Sequence, residues 1–94
     1  MEVTVHYFTL LRSVTGTREE KINVKEGSTV EDLLKTLSAK YGKEFERYIF
    51  SGRQYRGLKL LFFVDGRSIE GSDGFKTKLK NGNILAIMPP IAGG

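Results

Sequence analysis

Ser28-Thr29-Val30-Glu31-Asp32-Leu33-Leu34-Lys35-Thr36-Leu37-Ser38-Ala39-Lys40-Tyr41-Gly42 is the stretch on which the fold turns. Val30, Leu33, Leu34, Leu37 and Tyr41 recur at i, i+3, i+4, i+7 and i+11, the spacing of one apolar stripe on an α-helix. Ser28 with Glu31 three residues later has the spacing of a capping box, and Glu31 and Asp32 lie where the helix dipole favours acid. Gly42 supplies the C-terminal stop. A lone helix with one apolar face must bury it against another layer.

The flanking sequence supplies that layer. Residues 2–10 read as a strand, with Val3, Val5 and Tyr7 on one face and Thr4, His6 and Phe8 on the other. Residues 12–17, with Ser13, Thr15, Gly16 and Thr17, read as a connection. Residues 20–25 alternate, Ile22 and Val24 against Lys21, Asn23 and Lys25, and complete a hairpin. Beyond the helix, Phe45, Tyr48 and Ile49 form a short amphipathic turn, and residues 51–57 an exposed loop. Residues 58–64 are a strongly apolar strand closed by Asp65-Gly66, with residues 67–69 returning as a short strand. Thr77 to Leu79 reads as one helical turn, and Asn81-Gly82 leads into a last strand over residues 83–88. Strand, strand, helix, strands, final strand make an α+β roll with a mixed sheet on one main helix. Central first and last strands would run parallel and release residues 89–94 at one sheet edge.

Composition narrows the function. The 94 residues make one domain, and 39% hydrophobic with 28% charged residues excludes wholesale disorder. Without cysteine there is no disulfide, no thiolate metal site and no nucleophilic thiol. No apolar run reaches the roughly 18 residues that span a bilayer, and the N-terminus alternates instead of forming a signal sequence, so the expected compartment is the cytoplasm. Fifteen Lys and Arg against eleven Asp and Glu leave a charge of +4, but acids and bases interleave, as a solvated surface requires rather than a nucleic-acid patch. His6 is the sole histidine, with no acidic cluster nearby, and reads as a strand residue rather than a metal ligand. Glu19-Glu20 fit hairpin solvation.

The chain closes on Met88-Pro89-Pro90-Ile91-Ala92-Gly93-Gly94. Proline favours extended backbone, so residues 89–94 are expected to stand away from a domain over residues 1–88. Six residues reach at most about 20 Å, enough to enter another protein's active site. Two glycines make the narrowest thread and leave the Gly94 carbonyl open to attack. A docking surface is expected too: the alternating strands leave a second apolar row of Phe8, Leu10, Leu61, Phe63, Leu85 and Ile87, with Arg12 and Arg67 meeting acids on a partner. The alternative cover for that row is the segment over residues 43–57, with Phe45, Tyr48, Ile49 and Phe50. Lys76, Lys78 and Lys80 are further candidates for partner acids.

The order of elements resembles the ubiquitin-like β-grasp fold, and the sequence resembles the small, sulfur-carrying subunit of molybdopterin synthase, the MoaD type. Tyr7-Phe8-Thr9-Leu10-Leu11-Arg12 with Val14-Thr15-Gly16 is similar to that family's first strand and turn. Ser28 to Leu34, Phe63-Val64-Asp65-Gly66-Arg67, and Leu79 to Ile84 leading to the Pro-Pro-x-x-Gly-Gly ending carry the rest. The resemblance implies that a partner adenylating enzyme activates Gly94 with ATP, and that a sulfur donor enzyme leaves a thiocarboxylate there. The tail, Pro89, Pro90, Ile91, Ala92, Gly93 and Gly94, would then enter the large subunit of molybdopterin synthase and deliver sulfur to a pyranopterin precursor. The chain would be a protein cosubstrate without an active site, cofactor or metal of its own, in keeping with the absence of a phosphate-binding loop and of cysteine. A ubiquitin-like modifier conjugated through Gly94 and a thiamin-pathway sulfur carrier share the signature, and a plain β-grasp binding module would ignore it.

Overall fold

The computed structural model describes residues 1–50 and 60–88, excepting the side chains of residues 9, 10 and 50. In chain order the elements are β1 (Glu2–Tyr7), α1 (Thr9–Thr15), β2 (Glu19–Asn23), α2 (Val30–Tyr41), α3 (Lys43–Phe50), β3 (Leu61–Val64), β4 (Arg67–Ser68) and β5 (Ile84–Met88), with 3-10 turns at Ile69–Gly71 and Gly74–Lys76. The sheet runs β2-β1-β5-β3-β4. Its central pair, β1 and β5, is parallel, and the β1–β2, β3–β4 and β3–β5 pairs are antiparallel. This is the expected α+β roll, a ubiquitin-like β-grasp.

The helix stripe is buried as its spacing requires: Val30, Leu33, Leu34 and Leu37 lose all solvent contact, packed with Val3, Val5, Leu85 and Ile87 of the sheet. The helix begins one residue later than Ser28 implies. Thr29 caps it, its Oγ1 accepting from the Asp32 N–H at 3.2 Å while Asp32 Oδ2 accepts from the Thr29 N–H at 2.9 Å. The shift has a tertiary cause. Residues 28–30 are pinned to the chain before β5, with Leu79 N–H donating to Ser28 O at 2.8 Å and Val30 N–H to Thr77 O at 2.9 Å. The Thr29–Lys78 bridge holds both segments extended, so Thr77 to Leu79 is not the helical turn its sequence implied, and the turn lies at Gly74–Lys76.

The largest departure follows β1. The strand stops at Tyr7, and the expected connection is helix α1. Phe8 O accepts the Arg12 N–H at 3.1 Å and opens the helix, while Gly16, at φ 77°, closes it by donating to Arg12 O. The helix carries Leu11, which has no exposure, into the core. The amphipathic turn after Gly42 is α3, whose Phe45 and Ile49 enter the same core. Asp65 and Gly66, at φ 50° and 84°, form the tight β3–β4 turn that Asp-Gly favours.

Candidate functional site

Because β1 and β5 run parallel, both finish at the same end of the sheet, and residues 89–94 follow Met88 in the sequence. The parallel ladder opens with Thr4 N–H donating to Asn83 O at 3.0 Å, and past its far end Phe8 O is engaged by the Arg12 N–H. Pro89, next in the sequence, has no N–H to give. The tail itself, Pro89, Pro90, Ile91, Ala92, Gly93 and Gly94, lies outside the described residues, as does the loop over residues 51–57.

The strand end from which the tail departs is braced from below. Tyr7, opposite Ile87, donates its hydroxyl to Glu20 Oε2 at 2.9 Å; the Tyr41 hydroxyl donates to the same oxygen, and Lys40 Nζ donates to Oε1 at 2.7 Å. Tyr7 meets Tyr41 and Phe45 edge-on, with centroids 6.4 and 6.2 Å apart. One carboxylate thus ties β1, β2 and α2 together. Burial alone would raise the Glu20 carboxyl, but the donors Lys40, Tyr41 and Tyr7 together outweigh it and hold the group below the usual range. Burial, and then Glu20, pushes the Tyr7 and Tyr41 hydroxyls up, so both stay protonated donors. Hairpin solvation is therefore the wrong role for Glu20: its partners come from 13 and 21 residues away.

The apolar row predicted for docking divides. Leu85 and Ile87 have no exposure, and Phe8 is only 9% exposed. The register explains the correction: Leu85 pairs with Val5 and Ile87 with Tyr7, on the face that α2 covers. Phe8 lies past the end of β1 and turns into the core, where α3 contributes Phe45 and Ile49, so the helical segment covers this part of the row. Leu61 and Phe63 do lie on the open face. There they pair with Met88 and Ala86, and Ile84 and Met88 are the two large hydrophobic side chains exposed among the described residues, at 40% and 43%. Thr4 and His6 of β1 continue this face beside Ile84 and Ala86. Ile84, Ala86 and Met88 were missed because every residue of Ile84 to Met88 is apolar and only the pairing fixes which ones face outward.

Arg12 and Arg67 are not brought together. Arg12 stands at the tail end, its Nε donating to Tyr7 O at 2.9 Å. Arg67 pairs with Val64 at the opposite end of the sheet, near Ile84. The Leu10 side chain lies outside the described residues. Lys76 is ion-paired with Glu31 at 2.9 Å. Among the described residues no group of three or more His, Asp or Glu could hold a metal, and no helix is long and apolar enough to cross a membrane.

A mixed sheet with a parallel central pair and one principal helix across it is the arrangement of the ubiquitin-like β-grasp proteins. The chain belongs to the ThiS family, whose model matches residues 5–94, and it is a sulfur carrier of the ThiS/MoaD type. It is 32% identical over 94 residues, all of both chains, to small archaeal modifier protein 3 of Haloferax volcanii. It is 30% identical to the sulfur carrier protein CysO of Mycobacterium tuberculosis, again over the whole of each chain. Among solved structures it is similar to a Pyrococcus furiosus chain provisionally named molybdopterin converting factor, subunit 1. The TM-score is 0.78 and the identity 27%, over 96% of this chain and 98% of that one.

Proposed function

We propose that the chain carries sulfur as a thiocarboxylate on Gly94 and donates it in the synthesis of molybdopterin, in the cytoplasm. The observation that carries the reading is where β5 ends: Met88 closes the central strand on the same open face as the exposed Ile84, and the sequence continues Pro89-Pro90-Ile91-Ala92-Gly93-Gly94. A carboxylate oxygen of Gly94 attacks the α-phosphorus of ATP on a partner adenylating enzyme, and pyrophosphate leaves. A hydrosulfide equivalent from the donor enzyme then attacks the acyl carbon, AMP departs, and the thiocarboxylate remains. The tail next enters the large synthase subunit, whose residues handle the pyranopterin. Leu61, Phe63, Ile84, Ala86 and Met88 form the docking surface, since their burial against a partner recovers about 25 cal/mol for each Å² of apolar area removed from water. The similarity to the Pyrococcus furiosus chain supports the molybdopterin assignment. The test is synthase reconstitution: thiocarboxylated carrier plus large subunit should convert the cyclic pyranopterin precursor to molybdopterin, and no conversion by a demonstrably loaded carrier would refute the pathway.

A second reading is favoured by the relative named a modifier, which matches the whole chain. The same acyl-adenylate would then be attacked by a lysine amine on a target protein, giving an isopeptide bond through Gly94. Peptides branched at lysine with a Gly-Gly remnant, recovered from cells, would establish that use.

A further inference from the structure

The corner between α1 and the β1–β2 hairpin holds a groove with two arginines in its lining. His6, Tyr7, Arg12, Thr17, Arg18 and Glu19 line about 500 Å³ of open space. Arg12 is aimed into it: its Nε is spent on Tyr7 O at 2.9 Å, which orients the guanidinium and leaves the terminal nitrogens available. Among the described residues neither Arg12 nor Arg18 has a carboxylate within ion-pairing distance, and the groove's one acid, Glu19, stands 3.7 Å from His6 Nε2. Two arginines against one acid leave the groove's lining with a positive balance, complementary to an anion. His6 pairs with Ala86, so the groove adjoins the open apolar face at the end where Met88 leads to the tail.

Resting on the carrier reading, we infer that this groove receives a carboxylate side chain of the adenylating enzyme, paired bidentately with the terminal nitrogens of Arg12 and steered by Arg18. Planar guanidinium–carboxylate pairing fixes orientation as well as affinity, so it would set the angle at which the tail enters the enzyme.

The test is calorimetric titration of the full chain with the adenylating enzyme of its own genome, without nucleotide, so that no chemistry intervenes. Arg12→Glu should weaken binding about tenfold or more, and Arg12→Lys, which keeps the charge but loses the fork, by a smaller factor. Arg18→Glu, which breaks no hydrogen bond among the described residues, should weaken it severalfold even if Arg12→Glu perturbs the fold. With ATP and sulfur supplied, Arg18→Glu should raise KM for the carrier and leave kcat unchanged. Binding of both Glu variants within twofold of the parent overturns the proposal, as does a parent chain that fails to bind. A defect seen only when ATP is added overturns it in favour of a nucleotide phosphate in the groove. A parent chain that binds with this arginine dependence yet never becomes a thiocarboxylate overturns the carrier reading and leaves the groove assignment standing.

Discussion

Gly94 and Glu20 show how differently two residues report themselves. A side chain at Gly94 would crowd the carbonyl during attack, so Gly94→Val should abolish adenylate formation while thermal unfolding stays unchanged; an unaltered rate of pyrophosphate release would contradict this. The role proposed for Gly94 is a local one, because the chemistry asks only for an unhindered carbonyl. Glu20 is illegible, because its meaning lies in Tyr7, Lys40 and Tyr41, which reach it only after folding. Glu20→Ala should destabilise the domain by about 2 kcal/mol, measured by urea unfolding at neutral pH, because it strands polar groups that the carboxylate satisfies. The folded carboxyl titrates below its ordinary value, so its contribution is full at neutral pH and fades as pH falls below about 4. The gap between wild type and Glu20→Gln should therefore narrow in acid, and a gap that widened there would contradict the assignment.

Elements were legible where a long period repeats and obscure where a short one competes with pairing. The α2 stripe declared itself over twelve residues, whereas α1 spans only seven, and its Leu11 reads equally well as the end of a strand. The cap moved from Ser28 to Thr29 because the bridge to Lys78, 49 positions downstream, holds the chain extended. Thr29→Ala should accordingly cost about 1 kcal/mol of stability, while Ser28→Ala, outside the cap, should cost much less. In β5, five consecutive apolar residues hid the inside from the outside, and only pairing with Val5 and Tyr7 decides that Leu85 and Ile87 are core. Phe63→Asp and Met88→Asp, on the open face, should keep the unfolding temperature within a few degrees yet weaken binding to the adenylating enzyme at least tenfold. Leu85→Ala should do the reverse in kind, losing about 2–5 kcal/mol of stability.

For the molecule as a whole, the β-grasp class was legible from element order, since a hairpin, a helix and further strands leave few ways to bury one stripe. The division of labour is also a property of the whole. Helices α1 and α3 contribute Leu11, Phe45 and Ile49 to the core, the open sheet face lies on the side the helices leave free, and the Arg12 corner, built by α1 and the hairpin, adjoins it. Intact mass after incubation with ATP, the adenylating enzyme and a sulfur source tests this account most directly. It predicts a shift equal to one oxygen-for-sulfur exchange, confined to the C-terminal fragment and absent when a residue is appended after Gly94. An unshifted mass in the presence of a demonstrably active enzyme would contradict it.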